Sequence, residues 1–378
     1  MAQLTKHKWL IAIAAAVIVV LAVIWIALSQ ASKPDRVLEK FENAVKTKDT
    51  KQLEGLIVAD NPNALVNNTS LQAMIRYLKT NANSYQVIRD GIHNQIKDEN
   101  YAETNQQISL VQDGKKWGFF PDYKLKVKTV HLKVTGQSDN DQLNVSIGNM
   151  KVPEKKESHT YGPLLPGTYQ TNVTVKNSLG TFFQKEKKDL WGNSEVSMIV
   201  DDSRLAQKSE NVQKGILEAI RKFNEDLSVY TTSGLDANKL SNATDSFKED
   251  FSLEQAQFEA IKDYVNEVTS QYLGSVVNMD ELSINHFDAD WKAEIEALVS
   301  YNEKIKYTGE KNYEDYSYKT LRKYTLKYDK NSKKWLVDDA ADAKADGSES
   351  SAWENKKELK QKNAPVLKWV RSGDKSNI

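Results

Sequence analysis

The chain contains no cysteine. That absence removes disulfide staples, thiolate nucleophiles and cysteine-based zinc or iron–sulfur sites, and with them a lipoprotein anchor. Histidine is scarce as well: His7, His93, His131, His159 and His286 are scattered, and no two share the spacing of a metal-ligand pair on a helix or hairpin. Neither sign of charge is in excess, since 52 Lys+Arg face 52 Asp+Glu, so no global field gathers nucleic acid and none is expected as a partner. Charged runs such as Glu154-Lys155-Lys156-Glu157 and Lys185-Glu186-Lys187-Lys188-Asp189 alternate in sign and read as solvated faces. There is no Gly-rich phosphate loop and no nucleophile elbow. Ser372-Gly373-Asp374-Lys375 spells a Ser-x-x-Lys motif, but in a polar terminus with no core to position it. Asp280, Glu281, Asp288 and Asp290 cluster without the ligand alternation or central glycine of a calcium loop. No catalytic, cofactor-binding or metal-binding residue is nominated, no cofactor is expected, and the chain is expected not to be an enzyme.

What the sequence does have is one long apolar run. From Trp9 to Leu28 no side chain is charged, and roughly 20 apolar residues in a helix match the ~30 Å hydrocarbon core of a bilayer. Within lipid such a run must be helical to satisfy its own backbone, and Trp9 and Trp25 sit near its ends, where amphipathic rings prefer to lie. Lys6, His7 and Lys8 precede the run directly, whereas Lys33 and Arg36 follow further off with Asp35 between them. The positive-inside rule therefore predicts residues 1–8 in the cytoplasm and the bulk of the chain outside the cell. Ser29-Gln30-Ala31 offers a signal-peptidase site, but the run exceeds the usual ~7–15-residue signal core. An uncleaved single-pass anchor is expected.

The remainder reads as a multidomain ectodomain. Residues 33–121 show helical spacing at Val37, Leu38, Phe41 and Val45 and again at Leu71, Met74, Ile75 and Leu78, with a cap near Asn67–Ser70. Asp113-Gly114 lies between two short apolar runs and predicts a tight hairpin turn, so the region reads as a small helical domain closed by a hairpin. Residues 122–201 alternate with period two and predict a small all-β, sandwich-like domain, with a phase slip at Lys128-Thr129. In it, Gly162-Pro163-Leu164-Leu165-Pro166-Gly167 is read as turn or loop. Residues 202–342 open with an amphipathic helix from Asp202-Ser203 through Tyr230. A second helix is expected from Ser252, boxed by Gln255 and carrying Phe258, Ile261, Val265, Val268 and Tyr272. Strands follow around Trp291–Tyr301, where Ile295, Leu298, Val299 and Asn302 also suit a helix, and around Tyr316–Tyr328 and Lys334–Val337, giving an α+β domain. Ala340–Ser351 reads as a linker, and residues 343–378 as a polar C-terminal tail.

Tyr301, Tyr307, Tyr313, Tyr316, Tyr318, Tyr324 and Tyr328 are the one concentration of recognition-type side chains. They suit either a half-buried sheet or a concave surface that stacks on sugar or peptide.

Three stretches carry a family likeness. Gly114-Lys115-Lys116-Trp117-Gly118-Phe119-Phe120-Pro121-Asp122-Tyr123-Lys124-Leu125 resembles the segment joining the second and third domains of the TcaA/YvbJ-like family of Gram-positive membrane-anchored proteins. Gly162–Tyr169 resembles that family's Pro-Gly-x-Tyr turn, and the pattern ending Lys334-Trp335-Leu336-Val337-Asp338 is similar to its NTF2-like domain. The likeness spans about residues 9 to 342. It implies an envelope protein associated with susceptibility to the glycopeptide teicoplanin, with no established catalytic residues to carry over. Many family members begin with a cytoplasmic zinc ribbon of paired cysteines, which this sequence does not show. The expected partners are the membrane and, outside it, peptidoglycan, wall precursors, glycopeptides or an envelope protein. Two alternatives stay open: a structural subunit of a membrane or secretion complex, and a small-molecule-binding enzyme that uses the NTF2-like cavity.

Overall fold

The computed structural model describes residues 2–371 apart from 139, 288 and 289, with side chains from Trp9 onward. Asp288 of the acidic cluster and the Ser-x-x-Lys motif at 372–375 lie outside the described residues. The chain forms two compact units, one of Met1–Gln137, Leu143–Thr174 and Phe183–Val200, the other of Ser138–Gln142, Val175–Phe182 and Asp201–Ile378.

The first unit opens with α1 (Ala2–Ala31). The helical segment hydrophobic enough to cross a bilayer runs from Trp9 to Ala31, three residues past the apolar run, and its large apolar side chains are mostly exposed. Next come α2 (Pro34–Thr47), α3 (Thr50–Glu54), β1 (Ile57–Ala59), α4 (Asn68–Thr80) and α5 (Ala82–Lys97). The spacing expected of α2 and α4 is the spacing observed: Val37, Phe41 and Val45, and Leu71, Met74, Ile75 and Leu78, all enter one core. Asn67 caps α4 in a full capping box with Ser70. Helix α5, which buries Ile88 and Ile92, has no counterpart in the sequence reading.

The hairpin of β2 (Ile108–Lys116) and β3 (Phe120–Val127) corrects the expectation for Asp113-Gly114. Those two residues lie opposite one on β3, between the pairs Gln112–Tyr123 and Lys115–Pro121, so they form a bulge. Gly114 supplies the left-handed φ of +77° that such a bulge requires. The turn falls three residues later, where Trp117 and Gly118 both take positive φ and the Phe119 N–H reaches the Lys116 carbonyl at 3.3 Å. Strand β3 also pairs in parallel with β1, so residues 120–127 belong to the helical layer and the boundary set at 121 moves past Val127. The phase slip at Lys128-Thr129 is a strand break before β4 (Val130–Thr135).

Strands β5 (Gln142–Ile147), β6 (Glu154–Lys155), β7 (Thr160–Leu164), β8 (Gly167–Asn177), β9 (Gly180–Leu190) and β10 (Glu195–Ile199) complete two small sheets, ordered β10-β4-β7-β6 and β5-β8-β9. The Gly/Pro run expected to be loop is mostly strand. Pro163 sits at a register shift in the β4–β7 pairing, where its missing N–H costs no ladder bond. A Cβ at Gly162 would come 2.7 Å from the His131 ring, and one at Gly167 would come 2.5 Å from the backbone of Ala73 in α4. These glycines serve close approach. Leu165 joins the core of the helical layer, and Tyr77 stacks on Trp191 at 4.1 Å between centroids. Residues 33–121 and most of 122–200, read separately from sequence, therefore pack as one unit, while Ser138–Gln142 and Val175–Phe182 go with the second.

The second unit holds α6 (Asp202–Gln207), α7 (Glu210–Thr231), α8 (Asp245–Asp250) and α9 (Ser252–Ile261), then β11 (Val265–Phe287), β12 (Asp290–Tyr307), β13 (Glu314–Asp315), β14 (Tyr318–Asp329), β15 (Lys334–Lys344), β16 (Lys356–Lys360) and β17 (Leu367–Val370). The long first helix is broken into α6, capped by Asp201, and α7. The second expected helix ends at Ile261, and no side chain caps its start. Val265, Val268 and Tyr272 are buried in β11 instead. A register shift between Val265 and Glu267 puts residues three apart on one sheet face, which imitates helical periodicity. The sheet runs β15-β14-β12-β11-β16, with β17 also on β11. The segment expected as linker and tail thus continues β15 to Lys344 and adds two strands along β11, covering an edge that would otherwise be unpaired.

Candidate functional site

Helix α7 lies on the sheet through Val212, Ile216, Ile220 and Phe223. At its centre is a polar residue, Asn224, with no exposed surface. Its Nδ2 donates to the Ile220 carbonyl at 2.7 Å and to the Tyr324 hydroxyl at 2.8 Å. Its Oδ1 accepts from Tyr301 at 2.9 Å and from Arg322 Nη1 at 3.0 Å. Arg322 in turn donates twice to Asp342, at 2.6 and 2.7 Å. Burial works against the guanidinium's charge, but the Asp342 hydrogen bonds hold its pKa well above the ordinary value. Burial pushes Tyr324 up to about 12. Buried polar groups of this kind are affordable only when fully paired, and these are. The interior between helix and sheet is filled with side chains that satisfy one another.

The tyrosines therefore do not form one surface. Tyr301, Tyr324 and Tyr328 are buried, while Tyr313, Tyr316 and Tyr318 are exposed, Tyr318 lying opposite Tyr301 across the β12–β14 pair and stacked on it at 5.2 Å between ring centroids. Tyr307 and Tyr316 share a hydroxyl contact of 2.9 Å. Glu303, beside Ser270 at 2.8 Å, has its carboxyl pKa raised by burial.

The surface of this unit carries a groove of about 870 Å³ whose walls include Lys222, Asn242, Thr244, Asp290, Lys327, Lys334 and Asp338. Its charges alternate and are largely paired. Lys327 meets Asp290 at 2.9 Å and lowers its pKa, Thr244 donates to Asp338 at 2.8 Å, and Lys222 reaches the buried Asp226 at 2.6 Å. Such a wall offers donors and acceptors in both senses without a net field, which matches a polar, near-neutral ligand such as a glycan or a zwitterionic peptide.

The acidic cluster seen in the sequence is taken apart. Asp290 belongs to the groove, whereas Asp280 accepts from the backbone N–H groups of Glu354 and Asn355, both at 3.0 Å, and anchors a turn. A different set, invisible to sequence spacing because it joins positions 138, 202 and 286, is brought together instead. Ser138 Oγ donates to Asp202 at 2.6 Å and lies 2.8 Å from His286 Nδ1. Burial, and then the charge of Asp202, raise the pKa of nearby Asp141. When the Ser138 hydroxyl donates to Asp202, its proton is not available to the imidazole, unlike a serine activated by a histidine base.

Two family models match the chain: the TcaA protein second domain over residues 34–127 and the YvbJ NTF2-like domain over residues 216–341. The chain is 24% identical over 376 residues to an uncharacterized membrane protein, YvbJ, of Bacillus subtilis (strain 168), an overlap of 81% of this chain and 61% of that protein. It thus spans less than two thirds of that relative's length. The intermembrane space region of the chloroplast protein ARC6 aligns with 35% of this chain and 96% of its own at 12% identity, with a TM-score of 0.28 that is too low to bear on the fold.

Proposed function

We propose, from its matches to the TcaA second domain and the YvbJ NTF2-like domain and its likeness to a YvbJ membrane protein, that the chain is a non-enzymatic envelope protein of the TcaA/YvbJ-like kind that binds cell-wall material on its NTF2-like domain and so modulates the response to glycopeptide antibiotics. In this reading α1 spans the membrane with its N-terminus in the cytoplasm, and both units act outside. The observation that carries the reading is the contrast within the second unit. Its interior is occupied by the Asn224, Tyr301, Arg322 and Tyr324 cluster, while a surface groove of about 870 Å³ carries mixed, largely paired charges. Ligand recognition then belongs to the outside of the domain, and peptidoglycan stem peptides and glycans have the matching chemistry.

Deleting the gene is expected to change sensitivity to wall-targeting glycopeptides, and a K334E substitution in the groove is expected to reproduce part of that change without lowering protein level. Sensitivity that stays the same across a glycopeptide panel would sink the proposal. In parallel, the full chain in nanodiscs should retain soluble peptidoglycan fragments. Retention of a stoichiometric membrane protein alone would favour a subunit role in a larger complex.

A further inference from the structure

The bulge at Asp113-Gly114 displaces the hairpin turn, and the result is a tip reading Lys115-Lys116-Trp117-Gly118-Phe119. Trp117 is 48% exposed and Phe119 is 74% exposed. Exposed aromatic rings at a loop tip are costly in water unless something covers them. Their neighbour identifies what does. Trp25, near the end of the apolar helix, lies 4.7 Å from Phe120 and 6.2 Å from Phe119 between ring centroids. A residue at the end of a membrane-spanning helix sits at the headgroup level, so the tip in contact with it sits there too, whichever side of the membrane the units occupy.

Beside the tip, where α1 gives way to α2, is a cleft of about 300 Å³ lined by Lys33, Arg36, Lys40, Lys51, Lys116 and Lys124, against the single carboxylate of Asp122. Lys124 is engaged with the Gly55 carbonyl at 2.6 Å and Arg36 with Glu39 at 2.7 Å. Lys33, Lys40, Lys51 and Lys116 have no carboxylate within ion-pair distance among the described residues, although Lys116 lies over the Trp117 ring at 5.2 Å. In a chain with no net charge, this is a local concentration of unpaired cations placed at the membrane surface.

We propose that the β2–β3 hairpin tip and this cleft form a second membrane attachment, in which Trp117 and Phe119 enter the lipid interface and the cleft takes the phosphate of an anionic lipid headgroup. The two parts support each other. Apolar side chains that dip about 5–10 Å into the headgroup and acyl boundary bring the lysines to the plane of the phosphates, where each cation attracts an anionic surface. The consequence is orientational: a helix alone leaves the first unit free to swivel on the residues after Ala31, whereas a second contact fixes which face it turns to the membrane. The proposal rests on the reading of α1 as a membrane span.

Because the chain has no cysteine, single labelling sites can be introduced in the full-length protein. F119C and V19C variants would carry an environment-sensitive fluorophore and be reconstituted in phosphatidylcholine vesicles, with or without phosphatidylglycerol, containing nitroxide lipids of defined depth. Position 19 is expected to be quenched by deep nitroxides and position 119 by shallow ones, with stronger quenching at 119 when phosphatidylglycerol is present. Combining K33Q, K40Q, K51Q and K116Q with F119C should abolish that anionic increment and leave quenching at position 19 unchanged. Deep quenching at 19 with none at 119 overturns the second attachment while sparing the anchor; no quenching at either overturns both. An increment that survives the four glutamines removes the cleft from the proposal. An increment abolished by inorganic phosphate at constant ionic strength assigns the cleft to free phosphate and overturns its lipid role.

Discussion

Asn224 illustrates how much one side chain can organise. It is the meeting point of a helix carbonyl, two tyrosine hydroxyls and a guanidinium, so Asn224→Ala strands several buried polar groups at once. Each stranded group costs about 1–3 kcal/mol. The expected loss for the variant is about 2–4 kcal/mol after partial relaxation, read as a lower midpoint in chemical denaturation; a loss under about 0.5 kcal/mol, the scale of a neutral surface change, would show that the cluster is dispensable. Glu303 gives a prediction with a sign. Its folded pKa is raised by burial, so between the unfolded and folded pKa values the native state holds more protons, and stability falls as pH rises through that window. Glu303→Gln keeps a partner for Ser270 and removes the charge. The variant should therefore melt higher than the parent at pH 7, with the gap closing as pH falls to about 3, below the unfolded pKa, where the carboxyl is protonated in both states. An equal gap at both pH values would contradict the assignment. Neither role is visible in the sequence, where Asn224 is one polar residue in an amphipathic helix and Glu303 one of many surface-type charges.

At the scale of elements, sequence signals were reliable where they were local. Asn67 reads as a cap and caps α4 in a reciprocal pair with Ser70. Asn67→Ala should cost about 1 kcal/mol and raise hydrogen exchange in the first turn of α4 only. Gly167 was misread for the opposite reason. Its glycine is required by the backbone of Ala73 at 2.5 Å from a would-be Cβ, a neighbour 94 residues away by position, and not by any turn. Gly167→Ala should therefore push β8 off α4 at a cost of about 1–3 kcal/mol, with exchange increased in both elements; an effect confined to β8 would argue against that packing. The same logic explains Asp113-Gly114 and Val265–Tyr272. A bulge gives a Gly the positive φ of a turn, and another bulge gives a strand the three-residue spacing of a helix. Local patterns cannot separate these cases because the deciding partner is the neighbouring strand.

For the whole molecule, the segment after Lys344 decides how the NTF2-like sheet ends. Strand β16 pairs with β11 from Gly274 to Asn278, and β17 pairs with it from Glu267 to Ser270. Lys368 and Tyr313 both engage Glu267 and hold its pKa below the usual range, the Lys368 hydrogen bond first. Truncation before Lys356 would uncover a long strand edge. The shortened protein should associate in size-exclusion chromatography coupled to light scattering, whereas the full chain in the same detergent stays at a single mass. If the truncated form remained at one mass with an unchanged melting midpoint, these strands would be ornamental.

The apolar run, its length against a bilayer, the amphipathic faces of α2, α4 and α7 and the β character of residues 130–200 all follow from the order of residues along the chain, because each rests on a period or a length that neighbours in sequence determine. So does the family likeness, which the matches over 34–127 and 216–341 bear out. Only tertiary structure placed Asn224 against three residues of two strands, brought Ser138, Asp202 and His286 together, packed the helical layer and much of the β layer into one unit, turned the polar tail into strands, and set Phe119 and Phe120 beside Trp25 near the end of the apolar helix. Those outcomes depend on which surfaces meet, and contact between residues tens to hundreds of positions apart leaves no periodic mark on a single sequence.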